Sequence, residues 1–224
     1  AGEASFHTLR VATVRGASIS KVLTRHYVIS DISTDGSEAH SLAKVPLDKV
    51  LSVGNWSTSG GKISLKGGAD DALLNFFIDT SVTYENFHAT GHFRFNEGCG
   101  SNASAGFFIK ASEGDGHLYV GITRGGNLNV YCNGKRIQLP DVQGKTVNVL
   151  DGFTLCVTLA GKHLRIEANG QLLSETVSDQ FAIQGCVGVN ATENGVFTAE
   201  SVYFTPLASA APEIQIAMTK VQDD

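Results

Sequence analysis

From Phe87 to Leu173 apolar and polar residues alternate through one short run after another, and few folds accept such a pattern. The runs are F-H-A-T-G-H-F-R-F, A-G-F-F-I-K, H-L-Y-V-G-I-T-R, L-N-V-Y-C-N-G-K-R-I and F-T-L-C-V-T-L-A-G-K-H-L-R-I-E-A-N-G-Q-L-L. A period of two sends successive side chains to opposite faces of a strand. Asn133-Gly134 and Asn169-Gly170 each fall between two such runs. Asn-Gly suits the type I′ hairpin turn, whose two central residues both need positive φ. The stretch therefore predicts antiparallel hairpins in series, each with an apolar and a polar face. On the first run Phe87, Ala89, Gly91, Phe93 and Phe95 oppose His88, Thr90, His92 and Arg94. Leu118, Val120 and Ile122 oppose His117, Tyr119 and Thr123, and Leu128, Val130 and Cys132 oppose Asn127, Asn129 and Tyr131. Leu164, Ile166 and Ala168 oppose Arg165, Glu167 and Asn169.

The rest of the chain extends the pattern. Residues 1–48 hold F-H-T-L-R-V-A-T-V and K-V-L-T-R-H-Y-V-I-S-D-I, read either as outer strands of the same sandwich or as the remnant of a preceding domain. A-L-L-N-F-F-I-D-T is almost continuously apolar, as expected of a strand covered on both faces. Roughly a dozen short strands and no amphipathic helix predict an all-β fold, an antiparallel two-sheet β-sandwich. It is expected over residues 49–207, with 208–224 a linker or a C-terminal strand. Twenty-five glycines suit many turns, and four prolines are too few for a linker-dominated chain. No repeat of about 20 to 50 residues marks a propeller or solenoid.

Several function classes drop out. The net charge is −5 and no basic run exceeds the pair Lys135-Arg136, so nucleic acid is a poor partner. No apolar stretch approaches the roughly 18 to 20 residues that span a bilayer. Cys99, Cys132, Cys156 and Cys186 have no C-x-x-C spacing, which argues against a tetrathiolate zinc site. They are either buried thiols or, in a secreted protein, disulfides of undetermined pairing. His88 and His92 lie about 13 Å apart by strand rise, too far to chelate one ion. Asn55, Asn102 and Asn190 begin N-x-S/T triplets. The chain opens A-G-E-A-S without Met, as expected of a processed protein or a module cut from a longer one.

The run from about Trp56 to Leu207 resembles the concanavalin A-like lectin and glucanase superfamily, in particular laminin-G-like modules and the carbohydrate-binding modules of levanases. The likeness rests on N-W-S-T-S-G-G-K-I-S-L-K-G-G, on Asn86-Phe87 with G-H-F-R-F, and on A-G-F-F-I-K followed by G-H-L-Y-V-G-I. L-A-G-K-H-L-R-I-E-A-N-G, V-G-V-N-A and the final V-Y-F strand complete it. One strand departs from the pattern, ending Phe108-Ile109-Lys110 where those modules often carry Arg. The resemblance implies a jelly roll and a non-catalytic, lectin-like module that recognises an oligo- or polysaccharide. It also implies a secreted or cell-surface location, with other domains of a parent protein as partners. Many such modules hold calcium, and Asp70 and Asp71 after Gly67-Gly68 are the metal ligands expected here, with Asp79 or Glu200 as further donors.

The polar register offers sugar-binding chemistry, because aromatic faces stack on sugar C–H faces while Arg, Asn and Glu pair with hydroxyls. The expected carbohydrate contacts are Arg94, Tyr119, Asn129 and Tyr131 on the sheet, with Glu97, Asp115, Arg124 and Trp56 around it. The solvated side of an ordinary antiparallel sheet has the same composition. Two rivals remain: a glycoside hydrolase or lyase of the same fold, and a laminin-G-like interaction or assembly module. No E-x-D-x-E strand occurs, although a pair distant in sequence such as Glu97 and Asp115 would meet the two-carboxylate requirement.

Overall fold

The computed structural model describes residues 6–15, 18–28, 38–66, 74–114, 116–139, 142, 144–192, 195–207 and 214–218. In chain order the strands are β1 (Phe6–Arg15), β2 (Ser18–Val28), β3 (His40–Ser41), β4 (Val50–Val53), β5 (Trp56–Ser59) and β6 (Lys62–Lys66). Next come β7 (Leu74–Asp79), β8 (Phe87–Phe95), β9 (Ser104–Ala111), β10 (His117–Thr123), β11 (Leu128–Cys132) and β12 (Lys135–Arg136). β13 (Phe153–Ala160), β14 (His163–Ala168), β15 (Gln171–Val177), β16 (Gly185–Thr192), β17 (Val196–Pro206) and β18 (Ile214–Met218) complete the series. The helical content of the described residues is confined to short 3-10 turns at Leu42–Lys44, Leu47–Lys49 and Asp179–Phe181.

The chain divides into two compact units, residues 1–33 with 210–224, and residues 34–209. In the first, β2 lies between β1 and β18 in an antiparallel three-stranded sheet. The second is an antiparallel two-sheet β-sandwich. One sheet has the order β12-β11-β10-β9-β16-β7-β4, the other β15-β14-β13-β8-β17-β6-β5 with β3 paired to β17. Leu42, just after β3, is fully buried in the core of this second unit.

The alternation read from the sequence builds the core directly. Phe87, Ala89 and Phe93 of β8 face Ala105, Phe107 and Ile109 of β9 and Leu118, Val120 and Ile122 of β10, all shut off from solvent. Phe93 is the hub: its ring stacks on Phe153 at 5.5 Å and meets Phe107 edge-on at 5.3 Å. The turns take the expected form, with φ of 51° and 73° at Asn133-Gly134 and 50° and 76° at Asn169-Gly170. β7 is covered on both faces, Phe77 lying in the core and Ile78 buried on the other side. In β17 the period of two breaks once. Ser201 takes φ 52° where the register with β8 shifts, so Ala199 and Val202, three residues apart, both point inward.

A buried carboxylate pins β3 to β7. Asp79 is 1% exposed, accepts from Ser81 N and Oγ, and lies 2.7 Å from His40 Nε2. Its charge adds to burial in pushing the Tyr84 hydroxyl up to about 12. Asp79 stands between Ser81 and His40, so no imidazole is placed to take a proton from the serine, and the cluster is a structural clamp.

Candidate functional site

Each sheet turns one face to the core and one outward, and the outward face of the β12-to-β4 sheet is unusual in being largely buried. Its side chains form rows across the strands. One row runs Ile78, Gly188, Phe108, Tyr119, Tyr131, Arg136. The next runs Phe76, Asn190, Gly106, Gly121, Asn129, and beyond it lie Thr192, Ser104 and Thr123. Among these described residues there is no carboxylate.

Glycine lets one aromatic ring of this face, Tyr119, lie flat. A Cβ at Gly121 would sit 2.0 Å from the Tyr119 hydroxyl, so only glycine leaves room for that ring to lie along its own strand. Tyr119 is thereby 1% exposed, and its hydroxyl donates to Ser104 Oγ at 2.8 Å. Burial pushes that hydroxyl's pKa well up, so it stays a protonated donor. Phe76 stacks parallel to Phe108 at 5.7 Å, Phe108 stacks on His117 at 5.5 Å, and Tyr131 lies 6.5 Å from Tyr119.

Ser104 Oγ is the centre of the polar network. It accepts from Tyr119 and, at 3.3 Å, from Asn129 Nδ2, and it lies 2.7 Å from Thr192 Oγ1. A hydroxyl has one hydrogen and two acceptor lone pairs. With both lone pairs engaged, Ser104 donates to Thr192. Thr192 Oγ1 also accepts from Ser104 N at 3.2 Å, so its own hydrogen is directed away from the network. The half-buried pair Thr192 and Asn129 thus offers an oriented O–H donor and an amide acceptor across a fixed serine. Beside them the Asn190 amide is wholly buried, and neither of its polar atoms has a partner. Such an amide costs about 1–3 kcal/mol unless something satisfies it.

At the β11 edge lies a recess of about 590 Å3, lined by apolar residues (Leu128, Val130, Leu139) and polar ones (Thr123, Arg136, Lys145) together. Ile137 N donates to Val130 O and Val147 N to Gly126 O beside it.

The structure brings together Tyr119, Asn129 and Tyr131 of the expected contacts. Tyr119 is there as a buried support and not as a stacking surface. Arg94 is on the other sheet, paired with Thr198 and exposed on the opposite side of the sandwich. Trp56 packs against Phe197 at 5.5 Å and Phe77 at 5.8 Å, and its indole N–H donates to Val53 O. Arg124 donates from Nη1 to Cys99 O, tying the β10–β11 turn to the loop that carries the exposed Glu97. Asp115, Asp70 and Asp71 lie outside the described residues. Of the further calcium donors, Asp79 is engaged by Ser81 and His40, and Glu200 by Lys62 at 2.7 Å. Among the described residues no cluster of three or more His, Cys, Asp or Glu is placed to hold a metal. Ser104, Thr192, Asn190, Arg136 and Lys145 were not expected from the sequence. Glycine at outward positions in mid-sheet (Gly106, Gly121, Gly188) was the available sign.

The four cysteines are all free, with Cys132 in the core and Cys186 packed on the face just described. Asn190 is shut inside the fold, whereas Asn55 and Asn102 are exposed. No helix among the described residues is long and apolar enough to cross a membrane.

No protein-family profile and no curated protein sequence matches the chain. Solved structures do match. A carbohydrate-binding module, CBM66, from Bacillus subtilis superposes with a TM-score of 0.56 at 16% identity, covering 70% of this chain and 95% of the module. A galectin-like-fold protein of unknown function from Bacillus subtilis gives 0.56 at 10% identity, over 80% of this chain and all 100% of its own. A β-1,3-1,4-glucanase (lichenase) from a mouse hindgut metagenome gives 0.53 at 6% identity, over 75% and 98%. The fold is that of the concanavalin A-like jelly rolls, which the sequence resemblance implied.

Proposed function

We propose that this chain is a non-catalytic carbohydrate-binding module whose ligand lies across the outward face of the β12-to-β4 sheet. The observation that carries the reading is the preorganised network of Tyr119, Ser104, Thr192 and Asn129, which directs a hydroxyl donor and an amide acceptor off one edge of an aromatic-floored face. Vicinal sugar hydroxyls are donors and acceptors at once, so they complement such a pair. Groups fixed before the ligand arrives lose little freedom on binding, which favours affinity from few contacts. Tyr131, half-buried beside Tyr119, supplies the accessible ring. The likeness to a carbohydrate-binding module supports the reading at the level of fold.

The lichenase shares the fold, and glycoside hydrolysis commonly takes two carboxylates flanking the scissile bond. The described side chains of this face include none. The carboxylates of the other sheet are engaged, Glu167 with Arg165 at 2.8 Å, Glu175 with Arg165 at 3.6 Å and with the His163 ring at 2.9 Å, and Glu200 with Lys62 at 2.7 Å. That contrast favours binding over hydrolysis. The reading also puts the protein outside the cell or at its surface, where polysaccharides are met.

The test is a glycan-array screen of the purified chain, run with calcium and with chelator. A specific hit that survives in the chelator arm and weakens about tenfold in Asn129→Ala is the expected result, the size of one lost hydrogen bond to an oriented ligand. A hit indifferent to Asn129 and Thr192 moves the ligand elsewhere, and no binding to any glycan overturns the reading.

A further inference from the structure

Asn190 sits among neighbours that give its amide nothing to bond. It belongs to the outward face of the β12-to-β4 sheet, since Val189 and Ala191 on either side of it lie in the core. Its same-face neighbours are Gly188 and Thr192 along β16, Phe76 in register on β7 and Gly106 in register on β9. Two of these are glycines and one is a phenylalanine. Thr192 is engaged through Oγ1 with Ser104. Both polar atoms of the Asn190 amide are shut off from solvent without a partner. A buried polar group that stays unbonded opposes folding, and a β-branched apolar residue would suit the strand better. The burial is shallow. Phe76 and Phe108 lie on the two strands that flank β16, yet their rings stack nearly parallel at 5.7 Å. They lean together over β16, where Gly188, in register with Phe108, leaves the space. Phe76 and Thr192, both beside Asn190, are each half-exposed, so the amide lies just under the surface.

We propose that Asn190 is a specificity-determining residue of the carbohydrate site, bonding the exocyclic hydroxymethyl oxygen of a hexose that enters between Phe76 and Thr192 as the Phe76 ring gives way. The inference rests on the carbohydrate-binding reading and narrows the ligand to glycans with free primary hydroxyls. A hydroxymethyl group carries its oxygen one bond farther from the sugar ring than a ring hydroxyl does. It reaches beneath the surface while the ring stays upon it. Its hydroxyl accepts from Nδ2 and donates to Oδ1, which satisfies both ends of the amide. Asn190 and Thr192 are alternate residues of one strand, about 7 Å apart, so a single sugar held at the Thr192 hydroxyl brings its arm to the amide. Phe76 offers its ring to the apolar C–H side of the same sugar. A pentose has no such arm and leaves the amide unbonded. A site built to bond a hydroxyl rejects the analogue that lacks it for that reason.

The glycan array tests this when it carries pairs that differ only in the arm, cellohexaose against xylohexaose and methyl β-D-galactoside against its 6-deoxy form, and is run with the full chain and with Asn190→Val. Hits should bear free primary hydroxyls, and where a pair binds its hydroxymethyl member should be favoured about tenfold or more. Asn190→Val should weaken those hits about tenfold and erase the preference within a pair. A thermal scan of the variant should show a midpoint no lower than that of the wild type, because valine removes an unbonded polar group from the interior. A structural duty for the amide would lower the midpoint instead. Asn190→Ala adds no bulk and carries the binding test should valine fail to fold. Hits without free primary hydroxyls, pairs bound equally, or binding unchanged in the variants overturn the inference and leave the carbohydrate-binding reading standing. If no glycan binds, both fall.

Discussion

On the outward face of the β15-to-β5 sheet the polar side chains close on one another. His88 Nδ1 lies 2.9 Å from Thr158 Oγ1, Lys62 pairs with Glu200, and Arg165 joins Glu167 at 2.8 Å and Glu175 at 3.6 Å. On the outward face of the β12-to-β4 sheet, the Tyr119 ring lies over Gly121, a buried asparagine has no partner, and a hydroxyl network ends in unspent capacity. Both faces descend from the same alternation of apolar and polar residues. Surface ion pairs screened by water hold little energy, about 0–1 kcal/mol each, and a face built of them has small reason to bind anything else. A face that has shed its water and kept free donors gains more from a ligand than from solvent. The difference lies in what the polar positions hold, glycine and amides on one sheet, charges on the other.

Changes to the shared core give the largest effects and should not distinguish the faces. Phe93→Ala removes the ring that joins the two sheets and is expected to cost about 3–5 kcal/mol in urea unfolding. A smaller loss would mean that the faces are supported separately. Next comes Gly121→Ala, which drives the Tyr119 hydroxyl from Ser104. It should destabilise by about 1–3 kcal/mol and abolish glycan binding, while the equivalent loss of stability from a core cavity leaves binding intact in the folded fraction. Asn129→Ala sharpens the contrast further, with about tenfold weaker binding at a stability cost near 1 kcal/mol, whereas Arg165→Gln on the other face should leave affinity unchanged.

The smallest expected effect is a pH dependence confined to the closed face. Burial holds the His88 pKa below its ordinary value, opposed by Glu167 and assisted by Arg165. The unfolded chain then takes up the proton first as pH falls, so this group's contribution is full above the ordinary histidine pKa and declines below it. The slope stays under the ~1.4 kcal/mol per pH unit of one full proton. His88→Gln should flatten the fall in thermal midpoint on acidification through the histidine range. A slope unchanged in the variant would assign the effect to other histidines.

The hairpins, their Asn-Gly turns and the two registers of each strand were legible in the sequence, because all three are local properties of residues a few positions apart. Which sheet a strand joins is not local. Arg94 and Tyr119 sit in equivalent polar registers of runs close in sequence, yet β8 pairs with β13 and β17 while β10 pairs with β9 and β11. Period two separates inside from outside and says nothing about which outside. The burial of Tyr119 depends on glycine at position 121 of the same strand, a relation visible only once the ring's direction is known. Trp56, expected among the carbohydrate contacts, is claimed by Phe77 and Phe197 from elements distant in sequence. Ile137 and Val147 both bond back to β11 or its turn, through Val130 O and Gly126 O, and nothing in the local composition announces those partners.

The central claim is that ligand binding belongs to one face alone. The most direct measurement is a backbone-amide chemical-shift titration of the 15N-labelled chain with the glycan that the array selects. Shifts clustered on β9, β10, β11 and β16, with Asn129, Thr192 and Gly121 foremost, are the predicted result. Shifts clustered on β8, β13, β14 and β17, around Arg94 and His88, would contradict it.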